Sequence, residues 1–323
     1  MIKIDAYDKK ILEILLENSR KQISTIGKNI RLRRENVNYK INRLIKLGLI
    51  KEFNTILNEE LLGLSHYVVF LELAKLQEDT EKRILEYLKE NKFMSWIGTS
   101  AGRWSLVFDI VISQKAKLDK ILNDLLINFG EFIEDYVVLK LHGGDYFASK
   151  MFGVVKRRVF NHAKTRPFKL DNKDLEILSL LNKDSRISLV SISEKVKLTP
   201  NGVNHRIKNM ENKGVFIGYT ISLDWKKLDY EWYDIQIKLI KFGEEVDKEL
   251  SNYFREHKSI VFYYKYLGGV WDYDLGLIVK NSNELREFIN NFRKTFPDIA
   301  KISDVFLVLE ETTGYKLPNG VFE

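Results

Sequence analysis

Two sets of side chains in this 323-residue chain carry the chemistry of nucleic-acid contact. The first is Asn38, Tyr39, Asn42 and Arg43, with Lys40 among them and Arg33 and Arg34 just ahead. The second is Asn204, His205, Lys208 and Asn209, with Arg206 among them and Thr199 and Asn201 ahead. At 100° per residue each set lies outside an apolar stripe, Val37, Ile41 and Leu44 in one case and Val203, Ile207 and Met210 in the other. Asn and Arg match base edges, and Lys and Arg match phosphates. A plain Glu/Lys solvent face would look different. The expected phosphate contacts are Arg33, Arg34, Lys40, Arg43, Arg206 and Lys208; the expected base readers are Asn38, Tyr39, Asn42, Asn204 and His205.

A third group is Gly268-Gly269-Val270-Trp271-Asp272. Glycines let backbone approach a ligand, and Gly268, Gly269, Trp271 and Asp272 together suit the two charged ends of an amino acid. A hairpin turn with a buried Trp explains the same residues, and both readings stay open.

Catalytic chemistry finds little support. There are no cysteines, which excludes disulfides and thiolate sites. The five histidines, His66, His142, His162, His205 and His257, are scattered, with no metal-ligand or acid–base spacing. Tyr263-Tyr264-Lys265-Tyr266 is the nearest thing to a reactive cluster, and strand alternation explains it. No P-loop, dinucleotide glycine motif, nucleophile elbow or His-Glu-x-x-His occurs. The reading is no catalytic residue, no metal, no cofactor and no enzyme.

The elements that position these residues occur twice. Ile4-Asp5-Ala6-Tyr7-Asp8-Lys9-Lys10-Ile11-Leu12 returns as Leu170-Asp171-Asn172-Lys173-Asp174-Leu175-Glu176-Ile177-Leu178, and the register holds without a gap to Leu57 and Leu223. An offset of about 166 residues suits a duplicated domain pair, not a solenoid. Each head reads as three helices and a wing. Asp5 and Asp171 are N-caps, with Asp8 and Asp174 completing a variant capping box. Thr199-Pro200 starts the third helix of the second head, while the first head has Arg33-Arg34 there, losing the cap and gaining two cations. Gly48 and Gly214 end these helices, and 49–57 and 215–223 read as wing strands. Helix, turn and helix with a polar outer face is the helix-turn-helix pattern.

Each head is followed by a β-α-β-β-α-β unit, a ferredoxin-like order with one sheet face covered by helices and the other free to meet a second sheet. The segments are 66–73, 79–90, 93–99, 104–112, 116–129 and 133–141, then 232–239, 244–257, 260–267, 271–279, 283–295 and 302–309.

Composition is that of a soluble globular protein, 45% hydrophobic and 30% charged. Charges at Lys3, Asp5, Asp8 and Lys9 argue against a signal peptide, and no apolar run reaches membrane-spanning length. A cytoplasmic location follows as an expectation. The net charge is +7, and Lys150, Lys156, Arg157, Arg158, Lys164, Arg166 and Lys169 carry roughly the whole excess. That segment suits a phosphate-contacting linker, or simply a solvated surface, although Phe152, Val154, Val155, Val159 and Phe160 make it too apolar for a plain tether.

On these motifs the chain resembles the Lrp/AsnC (feast/famine) transcriptional regulators. Leu-Asp-x-x-Asp-x-x-Ile-Leu is similar to that family's opening, Arg186-Ile187-Ser188 with Leu198-Thr199-Pro200 to its turn and recognition helix, and Gly269-Val270-Trp271-Asp272 to its ligand loop. The resemblance covers nearly the whole chain, twice, and long two-copy members are associated with archaea. It implies double-stranded DNA as partner, an amino-acid effector, ferredoxin-like (RAM-type) sheets that pair, and homo-oligomers. Ser105 stands where the first copy would carry the loop Asp, so an effector is expected at the second copy.

The expected class is α+β, a tandem of winged helix-turn-helix and ferredoxin-like domains. The expected units are 1–60, 64–145, a basic linker 146–169, 170–226, 228–311 and a loose tail 312–323. The leading expectation is a sequence-specific regulator, amino-acid-responsive if the resemblance extends so far, acting as a single-chain pseudo-dimer or a higher oligomer. The alternative is a sirohaem decarboxylase-like enzyme, whose family resembles the same architecture.

Overall fold

The computed structural model describes residues 2–74, 79–152, 158–161 and 169–323. Of the basic linker, Lys156, Arg157, the Arg158 side chain, Lys164 and Arg166 lie outside the described residues, as do Val154, Val155, the side chains of Val159 and Phe160, and His162.

The first head holds α1 (Ala6–Glu17), α2 (Ile23–Ile30) and α3 (Arg34–Lys46); the second holds α6 (Asn172–Lys183), α7 (Leu189–Val196) and α8 (Pro200–Asn212). Both capping boxes form. Asp5 accepts from the Asp8 amide at 2.8 Å and Asp8 from the Asp5 amide at 2.9 Å, and Asp171 and Asp174 do the same at 2.8 and 3.3 Å. The Thr199 hydroxyl accepts from the Gly202 amide at 3.1 Å, whereas Arg33 makes no capping bond at the start of α3. The turn before each third helix passes through a left-handed residue, Arg31 (φ 57°) or Lys197 (φ 56°).

The wings differ from expectation. Strand β1 (Ile50–Leu57) pairs antiparallel with β7 (Phe216–Leu223) of the other head, from Ile50 opposite Leu223 to Leu57 opposite Phe216. One shared ribbon replaces two separate wings. Ile221 and Leu223 pack into the first head's core, and Leu57 packs into the second's. A strand left alone beside its own head would expose unpaired amides and carbonyls; pairing with its repeat satisfies both.

The remaining strands are β2 (Ser65–Leu73), β3 (Met94–Ala101), β4 (Leu106–Ile112) and β5 (Ile133–Tyr146), then β8 (Glu231–Leu239), β9 (Ile260–Tyr266), β10 (Tyr273–Val279) and β11 (Ala300–Thr313). Two ferredoxin-like sheets meeting face to face were expected; the structure closes all eight strands into one barrel. Within a copy the orders are β5-β2-β4-β3 and β11-β8-β10-β9. The copies then join edge to edge, β11 to β3 and β5 to β9. The cause is overhang. Strands β5 and β11 run 14 residues each, so residues beyond the pairing with β2 or β8 reach the other copy. Closure leaves no open barrel edge among these eight strands. The overall class remains α+β.

Helices α4 (Thr80–Glu90) and α5 (Lys115–Phe129) cover one side of the barrel, and α9 (Glu244–Glu256) and α10 (Ser282–Thr295) the other. The interior mixes both copies. Phe70, Trp104, Trp271 and Phe306 meet there, with Trp104 and Trp271 edge to face at 5.6 Å.

The described parts of the linker, and the tail, are tied down. Strand β6 (Arg158–Asn161) pairs with Gly143–Tyr146 of β5. The Lys150 ammonium donates to the Phe254, Arg255 and His257 carbonyls at 3.1, 2.9 and 2.8 Å, capping the end of α9. It is therefore no free phosphate-binding cation. The tail was expected to be loose. Instead Leu317 exchanges two hydrogen bonds with the Asn182 side chain (2.7 and 3.1 Å) and Lys316 pairs with Glu52 at 2.7 Å.

A candidate DNA-binding face and a buried chamber

In α3 the apolar positions Val37, Ile41 and Leu44 point into the head, leaving Arg34, Asn38, Tyr39 and Asn42 exposed. Tyr39 is 69% exposed, unusual for a large aromatic without a partner surface. Arg33 and Arg34 are exposed and form no ion pair among the described residues. In α8 the exposed residues include Asn201, His205, Lys208 and Asn209, with Thr199 exposed at the cap and Asn204 half-buried.

Three expected phosphate contacts are engaged elsewhere. Lys40 bonds Asp5 at 2.6 Å and Asp8 at 3.1 Å, and Arg43 bonds Asp8 at 3.0 Å and the Lys3 carbonyl. Arg206 bonds Asp171 at 2.7 Å and Asp174 at 2.8 Å. Each cation ties the third helix to the capping box of the first. The Asp5 and Asp171 carboxyls sit below their ordinary range, held there by the Lys40 bond first for Asp5 and by the Asp174 amide and then Arg206 for Asp171. The charge of these cations is largely neutralised, and they belong to the scaffold of the face.

The two heads meet at a point of pseudo-symmetry. The Ser19 and Ser185 hydroxyls are 2.6 Å apart. Arg20 donates to the Ser185 carbonyl and Arg186 to the Ser19 carbonyl, each at 2.5 Å. Arg20 lies over the Tyr219 ring and Arg186 over Phe53, at 5.4 Å from the centroids. Thr55 bonds the Leu181 carbonyl and Thr220 the Leu16 carbonyl. The heads are thus held within one chain in a reciprocal arrangement.

The glycine loop has internal duties. The Asp272 carboxylate accepts from the Leu239 amide at 2.7 Å and pairs with Lys238 at 3.2 Å; Lys238 also donates to the Gly269 carbonyl. In the first copy the Ser105 hydroxyl accepts from the Leu73 amide at 3.3 Å, the matching bond. Gly268 and Gly269 have positive φ, and a Cβ on Gly269 would strike Leu139. Trp271 is buried in the barrel. The arrangement is that of a hairpin turn over a buried Trp, one of the two readings left open.

One group of residues carried no signal in the sequence beyond isolated acids in apolar strands. A cavity of about 110 Å³ lies between barrel and shared wing, lined by Asp109, Asp234, Asp274, Glu311, Trp96, Trp232, Trp225, Tyr264, Tyr315 and Ser222 among others. His66, fully buried next to it, stands between Glu59 (3.1 Å) and Asp109 (3.2 Å). Burial opposes its charge, but the two carboxylates win and push it up to about 10. Burial, reinforced by the neighbouring Asp274 carboxylate, raises Asp234 well above its usual range; burial raises Asp274 to about 7.

Comparisons with known proteins bear on both features. A winged helix-turn-helix DNA-binding family model matches residues 4–51 and 170–216. The HTH-type transcriptional regulator LrpC of Bacillus subtilis is 31% identical over 137 residues, 42% of this chain and 91% of that protein. An uncharacterized HTH-type transcriptional regulator of Pyrococcus furiosus is 33% identical over 126 residues, 39% of this chain and 80% of that protein. Among solved structures, the sirohaem decarboxylase NirDL, in complex with an iron-uroporphyrin III analogue, has a TM-score of 0.65 at 10% identity, with 97% of this chain and 94% of that one covered. The architecture over nearly the full length is therefore one that an enzyme also uses, and the expectation that the chain is no enzyme does not stand. Among the described residues no helix is long and apolar enough to cross a membrane. At the level of sequence, two helix-turn-helix heads about 166 residues apart and relatives matched over most of their own length place the chain, as a tandem two-copy member, in the Lrp/AsnC family of transcriptional regulators.

Proposed function

We propose that this protein is a sequence-specific DNA-binding regulator that reads one operator with both heads of a single chain. The observation that carries the reading is the pair of third helices, each with an exposed polar outer face, on heads locked together by β1–β7 and the Ser19–Ser185 contact. Arg33, Arg34 and Lys208 are its phosphate contacts, and Asn38, Tyr39, Asn42, Asn201, Asn204 and His205 its base readers, with Thr199 at the tip of α8. Because the two faces differ, the half-sites differ, and they lie one turn of DNA apart. Such a protein acts in the cytoplasm. An amino-acid effector at Gly268–Asp272 would have to displace the Lys238 and Leu239 bonds. Arg33→Ala with Arg34→Ala lowers the slope of log affinity against log salt by roughly 2 units. An unchanged slope in a fluorescence-anisotropy titration removes both from the interface.

A second reading, a tetrapyrrole decarboxylase-like enzyme, is favoured by the whole-chain likeness of fold. The chamber does not fit that substrate. At about 110 Å³ it is well below the roughly 300–1,000 Å³ of ordinary ligand pockets. Its lining carries four carboxyl groups and no Lys, Arg or His to pair with the carboxylates of a uroporphyrin-type ring. Incubation with iron uroporphyrin followed by gel filtration tests the point. Co-elution of the porphyrin absorbance with the protein would favour the enzyme reading.

A further inference from the structure

We infer that the chamber between barrel and shared wing is a binding site for a small organic ammonium ion. Three independent observations carry this. The first is the cavity itself, walled by Trp96, Trp225, Trp232 and Tyr264, aromatic faces that attract a cation.

The second is an uncompensated pair of buried carboxyl groups. Asp109 has His66, and Glu311 has Lys51 at 3.3 Å and the Trp96 indole at 3.0 Å. Asp234 receives only the Trp232 indole, at 2.8 Å, and Asp274 receives Gln236 at 3.0 Å and Tyr266 at 3.1 Å. No cation pairs with either among the described residues, although both are 3% exposed. Without a cation, burial favours the neutral form of both carboxyls, and a bound ammonium favours the ionised pair.

The third is the state of the layer directly behind the lining. Gln236, one pleat beyond Asp234 on the barrel's inner face, spends its amide nitrogen on Asp274, and Asn54 spends its own on Ser222 at 2.6 Å, while both amide oxygens are buried without a partner. That layer has no donor left to give the lining carboxyls, and an ammonium in the chamber supplies donors only. A metal ion is the poorer occupant, since no group of three or more His, Asp or Glu side chains among the described residues is arranged to hold one.

The chamber also touches the segments that join the heads to the barrel. Ser222 and Leu223 belong to β7, Trp225 follows it, and Tyr315 belongs to the tail that grips Asn182 of the second head. An occupant contacts barrel, wing and tail together and so influences how the locked pair of heads is seated on the barrel. This consequence rests on the DNA-binding reading; the binding site does not.

The test is thermal melting of the full chain with butane-1,4-diamine, butane-1,4-diol, or sodium chloride at equal ionic strength. The diamine alone gives a saturable rise of roughly 3 °C. Equal shifts with the diol or with salt overturn the site. Asp234→Asn with Asp274→Asn abolishes the diamine shift, and retention of the shift overturns it. Should the double variant fail to melt cooperatively, Asp274→Asn alone answers: its diamine midpoint weakens roughly tenfold, and an unchanged midpoint rejects the proposal. Operator affinity is then measured with and without diamine. A chain that binds diamine but no DNA keeps the site and loses the regulator reading.

Discussion

Arg33 occupies the N-cap of α3, where Ser, Thr, Asn or Asp would bond the exposed amides. The matching Thr199 does so. Exchange of a cap for a cation is what a surface selected for phosphate contact looks like, and it makes a prediction. Arg33→Ser stabilises the protein by about 1 kcal/mol in a denaturant melt while lowering the salt slope of DNA binding by roughly 1 unit. A variant that gains stability with DNA binding untouched takes Arg33 out of the interface. His66 has the opposite character, a residue important for the interior alone. His66→Gln removes the positive charge that stands between the buried Glu59 and Asp109 and costs about 3–5 kcal/mol. The sign of its pH dependence follows from the shift upward to about 10 from 6.5. The folded state holds this proton more tightly, so its stabilisation is complete below about 6.5 and is lost as pH rises through about 10. Melting temperatures taken between pH 7 and 10 fall more steeply for the natural chain than for His66→Gln; parallel curves contradict the assignment.

At the scale of elements, the heads were legible because local physics decides them. Capping boxes, the Thr199-Pro200 start and the apolar spacing of Val203, Ile207 and Met210 are short-range signals, and each element formed where they placed it. The strands were found but not their lengths. Strands β5 and β11 run on to Tyr146 and Thr313, well past 141 and 309, because their ends pair with β9 and β3 of the other copy. Nothing within either strand announces a partner more than a hundred residues away. The same limit hid the roles of Lys40, Arg43 and Arg206. Their outward position on a helix is a matter of sequence, but their pairing with Asp5, Asp8, Asp171 and Asp174 depends on how the first helix lies across the third.

At the scale of the whole molecule, duplication acts as an internal dimer. Each copy offers strand edges that the other completes, at the wing and at both barrel seams. A chain cut after residue 161 therefore keeps β1, β3 and β5 with unpaired edges. Light scattering of that half should show a closed two-fold dimer or aggregate; a stable monomer would mean the seams are dispensable. Fusing the copies removes the concentration dependence of pairing and lets the two heads diverge, as the unlike faces of α3 and α8 have done.

The order of residues by itself determined the repeat, the two heads, the composition of their outer faces and the family they resemble, since all of these follow from spacing along the chain. Tertiary structure alone decided which strand pairs with which, which cations remain free and where buried charge collects. Asp109 and Asp274 are the single acids of two apolar strands, and Asp234 lies in a third that also carries Glu231. They become one chamber only when the barrel closes, because a strand sends alternate side chains inward and only closure brings those inward faces together.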